Sequence, residues 1–239
     1  MGDLFSTERF LVEIPVLLPY LLENLKVLFY ATVFGVLLGL LVTAIRMNKI
    51  PILYQFIVVY ISFMRGTPML VQLMLIYYGL PAFIDPLLGT NISREWPPIL
   101  FAYTTFILNQ GAFLSSIFYG AIKGVPTGQF EAGLSVGMTR LQTFRRIIAP
   151  MAIRIALPPF GTDFVGVVHN ASLVYVIGVI DILGRAKSIG SATGHALEAY
   201  VVVALNFVIC SILTRVFFGA LGNKLDYANK KTPAYEKGK

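Results

Sequence analysis

The chain has 239 residues, of which 56% are hydrophobic and 13% charged, with a formal charge of +7 and a mean hydropathy of +0.75. Ordinary soluble domains carry about 25% charged residues, so this composition excludes a soluble globular protein, a disordered chain and a disulfide-stapled secreted domain. A helical crossing takes about 20 apolar residues, which leaves room for roughly four to six crossings and no sizeable soluble catalytic domain.

The chain begins with Asp3, Glu8 and Glu13, an acidic start that does not fit a cleavable signal peptide. Residues 27–45 are free of charge and predict a first span over 19–45. Within it Gly35 and Gly39 form a GxxxG pair, a weak packing motif. Two further charge-free runs, 50–64 and 66–84, are broken only by Arg65. They are too long for one simple crossing. The reading is an interfacial or re-entrant helix over 50–63 and a second span over 67–84. The third span is placed at 97–122. The fourth, 155–180, carries Asp163, and the fifth is 199–221, with Arg215 near its end. Cys210 lies in an apolar run and is the only cysteine, so it forms no internal disulfide.

Charge placement then orients the spans. The connector 46–65 holds Arg46, Lys49 and Arg65. The connector 123–154 holds Lys123, Arg140, Arg145, Arg146 and Arg154, and the tail holds Arg215, Lys224, Lys230, Lys231, Lys237 and Lys239. These fourteen of the 19 basic residues fall on one side only if there are five spans. The topology rule then puts the N-terminus outside and the C-terminus in the cytoplasm. It also accounts for the basic excess without nucleic acid.

Catalytic patterns are missing from the sequence. It has no Walker A loop, no HExxH and no Cys/His cluster, and His169 and His195 are far apart with no obvious nucleophile partner. The chemistry-bearing signals lie elsewhere. In the 123–154 loop, Phe130, Leu134 and Met138 recur at four-residue spacing and predict a short amphipathic helix. Gly137 interrupts it, and a second short helix runs to Pro150. Exposed apolar residues there call for a partner surface or the lipid headgroups.

Glu131-Ala132-Gly133, then Gly137, then Ile147 and Pro150, resembles the E-A-A-x3-G-x9-I-x-L-P signature of ABC importer permease subunits. Gly133 stands for the second Ala and Ala149 for Leu. Arg65-Gly66-Thr67-Pro68-Met69-Leu70-Val71-Gln72-Leu73 is similar to the RGTPLLVQL stretch of polar amino acid permeases of the histidine/glutamine type. Ser172-Leu173-Val174-Tyr175-Val176-Ile177-Gly178-Val179 is similar to their TSLVxVIGV stretch. The resemblance spans about 20–225. It implies an all-α integral membrane fold of the type I importer kind, with a single permease domain over 1–239. It further implies five helices, N-terminus outside, and a coupling helix in the 123–154 loop that docks on an ATPase subunit. Glu131, Ala132, Gly133, Gly137, Ile147 and Pro150 would form that coupling segment.

Asp163 is the acid carried within the fourth span, and Asn170 lies two turns on along the same face. One reading pairs them in the passage, a carboxylate for an α-ammonium and an amide beside it. The other has Asp163 bonded to a neighbouring helix end or to Thr162. In similar permeases both positions can be acidic; Asn170 here suits a neutral or zwitterionic substrate. Further pathway candidates are Arg65, Thr67, Gln72, Asn109, Gln110, Ser116 and Ser172. The family's acid at Ser116 and Arg at Tyr119 are absent. Arg65 also reads as a snorkelling cation at the interface.

The resemblance implies alternating access in a bacterial cytoplasmic membrane. The partners would be a second permease subunit, identical or a sister, an ATPase dimer, an external amino-acid-binding protein and the bilayer. This chain would hold no cofactor; ATP and Mg would sit on the ATPase. The substrate class is a polar amino acid. The stretch from Val176 to Ala186 is similar to permeases associated with cystine uptake. A self-contained channel or secondary carrier is the alternative of a different class.

Overall fold

The computed structural model describes residues 5–230. Among the described residues, five helices are long and apolar enough to cross a membrane. Helix α1 (Thr7–Asn48) is joined through a shorter apolar helix α2 (Leu53–Gly66) to α3 (Met69–Leu88). Next come α4 (Pro98–Lys123) and a small α5 (Thr127–Ser135). Helix α6 (Arg140–Ile177) follows, then α7 (Ile182–Thr193) and α8 (Leu197–Lys230).

Three boundaries correct the sequence reading. Helix α1 begins at Thr7 rather than near residue 19, with the Ser6 hydroxyl capping it by accepting from the Arg9 N–H. Its early charges had hidden it, yet Glu13 is buried and the neighbouring Leu17 sits in a core shared with α7 and α8. Pro19 falls in a tighter turn, Leu18–Tyr20, through which the helix continues. Second, the helix after Gly137 does not stop at Pro150. It starts at Arg140 and runs on into the fourth span. Phe144–Ile148 forms a wide π turn, closed by the Ala149 N–H on the Phe144 carbonyl. A proline lacks an N–H and its ring crowds the carbonyl four residues back; a widened turn just before it relieves both problems. Helix α3 repeats the device, with a π turn at Leu75–Gly79 ahead of Pro81. Third, α8 continues past residue 221 to Lys230.

Helices α1 and α4 run parallel at close range. A Cβ on Gly35 would lie 2.6 Å from the Gln110 Cβ, and one on Gly39 3.0 Å from the Leu114 Cβ. Gly111 meets Leu38 in return. One turn further on, the Thr43 hydroxyl donates to the Gly39 and Ser115 carbonyls at 2.7 and 3.2 Å. The GxxxG pair is therefore a contact within the subunit. Helix α6 runs antiparallel to both α4 and α8, since Asp163 meets Gln110, Gly161 meets Phe218 and His169 meets Ser211. Three apolar clusters fill the bundle. The middle one centres on Leu73, Phe101 and Val174; the second holds Leu17, Ile182 and Val202; the third, beside the 123–154 connector, holds Ala121, Ile148 and Ala152. Arg46 lies over the Tyr119 ring at 4.0 Å, with Lys123 on the same ring, so the basic ends of α1 and α4 coincide.

Away from that end, Asp181 caps α7 by accepting from the Gly184 N–H at 2.8 Å. Its other oxygen accepts from the Asn24 amide at 2.8 Å, which ties α7 to α1. Burial pushes the Asp181 carboxyl above its ordinary range, and these bonds oppose that shift.

Candidate functional site

The helix break between α2 and α3 creates the first polar demand. In a continuous helix the Met64 carbonyl would accept from residue 68, but that residue is Pro68 and has no N–H. Gln72 takes its place. Its Nε2 donates to the Met64 carbonyl at 2.8 Å, to the Thr67 carbonyl at 3.0 Å and to the Thr67 hydroxyl at 2.8 Å. The Gln72 Oε1 accepts from the Asn109 amide at 2.8 Å. Gln72 is only 1% exposed, so its side chain is committed to closing the break.

The next residue on α4, Gln110, turns to α6. Its Nε2 donates to Asp163 Oδ2 at 2.6 Å. Gln110 is itself buried against Gly35. Asp163 is half-buried. Arg65 is exposed and lies over the Phe113 ring, 5.6 Å from its centre. Of the predicted pathway residues, Thr67, Gln72 and Asn109 are thus joined at the α2–α3 break, and the neighbouring Gln110 joins Asp163 to α4. Asp163 is bonded to Gln110, whereas Thr162 turns back to the Pro158 carbonyl.

The other candidates lie apart. Ser116 bonds the Ala112 carbonyl within α4, and Ser172 bonds the His169 carbonyl within α6. Asn170 is exposed. At 100° per residue, Thr162, Asp163, Gly166, His169 and Asn170 occupy one arc of α6. On α8, Ser211, Arg215 and Gly219 share one arc, and His169 Nε2 lies 2.8 Å from Ser211 Oγ. The histidine thus has a hydroxyl partner after all, 42 residues away. No periodic signal on one helix could have revealed it. The far side of α8 shows Ile209, Leu213, Val216 and Phe217.

The connector forms one folded unit. Helix α5 ends at Ser135, and Gly137 just beyond it, with a φ of +82°, makes the left-handed turn. The Met138 N–H reaches back to the Gly133 carbonyl at 3.1 Å. Thr139 and Gln142 then form a reciprocal capping box that starts α6. Glu131 and Ala132 are exposed, Gly133 is buried, and Ile147 packs beside it. Leu134, Val136, Leu141 and Phe144 stay exposed on the same unit, at 39%, 73%, 65% and 40%. Pro150 follows the π turn.

Residues 31–227 match the model of a family described as the binding-protein-dependent transport system inner membrane component. The chain belongs to this family. It is 38% identical over 211 residues to the probable amino-acid permease protein YxeN of Bacillus subtilis (strain 168), covering 85% of this chain and 92% of that one. It is 36% identical over 205 residues to the L-cystine transport system permease protein TcyL of the same organism, covering 86% and 85%. Among solved structures, a crystal structure of an amino acid ABC transporter with histidines superposes with a TM-score of 0.82 at 30% identity, over 92% of this chain and 99% of that one. The fold is that of a type I ABC importer permease.

Within this family fold, the polar arc of α6 and α8 is expected to face water in the assembled complex. With Cys210→Ser as background, Asn170→Cys should react with a membrane-impermeant thiol reagent and Leu213→Cys should not. Failure of Asn170→Cys to react would place the arc against lipid or buried protein.

Proposed function

We propose that this chain is the permease subunit of an ATP-driven ABC importer that moves a polar amino acid across a bacterial cytoplasmic membrane by alternating access. The observation that carries the reading is Asp163 held by Gln110 between α4 and α6, on a helix that runs unbroken to the connector. Ionisable groups inside a bundle are costly and mark substrate paths. Asp163 would take the α-ammonium, with Asn170 beside it further along the path. The family membership and the likeness to permeases named for amino acids support the same reading.

In this reading the N-terminus is outside and the C-terminus in the cytoplasm. Two permease subunits enclose the passage, and an external binding protein delivers the cargo. ATP and Mg are held by a separate ATPase pair, which closes and pushes the coupling helices together. The permease then supplies two packings of one bundle, biased from the connector. Glu131, Ala132, Gly133, Gly137, Ile147 and Pro150 form the coupling unit, with Leu134, Val136 and Leu141 as its apolar contact. Within the polar amino acids, cystine or a related sulfur amino acid is the finer proposal, supported by the likeness to TcyL.

The test is reconstitution with the cognate ATPase and binding protein, followed by uptake of glutamine, histidine, arginine and cystine. ATP-dependent uptake of one of them is expected. Flux of comparable size without the ATPase would establish a self-contained channel or carrier instead.

A further inference from the structure

The contact between Gly133 and Thr143 sets the angle at which α5 leaves α6. Thr143 is fully buried, and its hydroxyl donates to the Thr139 carbonyl at 3.0 Å. That bond holds the side chain in one rotamer, with its atoms turned onto Gly133. A Cβ on Gly133 would lie 2.5 Å from Thr143 Cγ2, 2.8 Å from Thr143 Oγ1 and 3.2 Å from Ile147 Cδ1. No methyl group fits there unless the threonine gives up its bond or α5 tilts away. Thr143 and Ile147 are four residues apart on one face of α6. Glu131, Leu134 and Val136 are all carried by or just beyond α5, so its tilt decides where they are presented.

We propose that Thr143 is the positioning residue of the connector: through Gly133 it fixes the tilt of α5, and with it the register between the exposed face of the connector and the helix that carries Asp163. This rests on the coupling reading above. It also accounts for the departure at Gly133, because an alanine there is compatible only with a smaller residue at 143.

The experiment is a double-mutant cycle in the reconstituted complex, read as substrate moved per ATP hydrolysed. Gly133→Ala should lower that ratio about fivefold, the size of modest overpacking strain, with assembly of the complex unchanged. Thr143→Ser alone should leave the ratio within about twofold of normal, since it keeps the hydroxyl and deletes only the methyl at 2.5 Å. Gly133→Ala combined with Thr143→Ser should recover most of the loss, because without the methyl the serine hydroxyl, otherwise 2.8 Å from the new Cβ, can rotate off the Thr139 carbonyl and clear it. A normal ratio in Gly133→Ala, or no recovery in the double variant, overturns the proposal. If Gly133→Ala fails to assemble, recovery of both assembly and ratio by Thr143→Ser supports it, and continued failure overturns it. Glu131→Lys separates the two ideas: normal uptake in that variant removes the coupling reading, whatever the cycle shows for the contact.

Discussion

A leucine at Gly35 is expected to prevent the bundle from forming in its present shape. The Cβ alone would come within 2.6 Å of the Gln110 Cβ, and the obstacle is the stem of a residue fixed on a neighbouring helix. Overpacked cores typically lose about 1–3 kcal/mol, and three further carbons at a helix–helix contact put this substitution at or above the upper end, ~3 kcal/mol. Gln110 cannot move aside without releasing Asp163, so the harm extends to the polar cluster. Thermal denaturation of the purified complex measures it. The melting temperature should fall by several degrees or the complex should not assemble. Gly120→Leu, on the same α4 but with nothing within 4 Å of its Cβ position, should stay near the parent value. Equal stability of the two variants would mean that α1 and α4 do not approach as closely as described.

Asp163→Asn is expected to leave the bundle intact and to damage uptake. An asparagine matches the shape and its carbonyl can still accept from Gln110, so the link between α4 and α6 survives. The lost feature is the negative charge. A hydrogen bond to a charged group contributes about 1.5–3 kcal/mol, so losing it should raise the KM for uptake roughly ten- to a hundredfold. The purified variant should assemble and hydrolyse ATP as before. An unchanged KM would reduce Asp163 to a helix tie, and the passage would then need another group for the ammonium.

The spans were legible because long charge-free runs have few other uses. The ends were less so, each for a local physical reason. Glu8, Arg9 and Glu13 break the apolar pattern of α1, although Glu13 is buried in the fold. Pro150 reads as a stop, but the π turn before it lets α6 continue. The polar residues of the first site were found by their type and depth or, for Thr67 and Gln72, by the resemblance of the 65–73 stretch, yet their division of labour was not. Gln72 and Asn109 look like Gln110 in the sequence, and only the position of Pro68 relative to Met64 marks Gln72 as a backbone substitute. Thr143 carried no signal beyond its four-residue spacing from Ile147. The His169 and Ser211 pair depends on α6 and α8 lying side by side.

The closure of the helix break by Gln72 bears on how related chains diverge. Pro68 and Gln72 answer to each other through the Met64 carbonyl. A lineage that lost the proline would regain a main-chain donor and no longer require an amide four residues later. Those two positions should therefore drift as a pair and stay indifferent to what is carried. If Asp163 and Asn170 meet the cargo as proposed, they should instead change when the diet of the cell does.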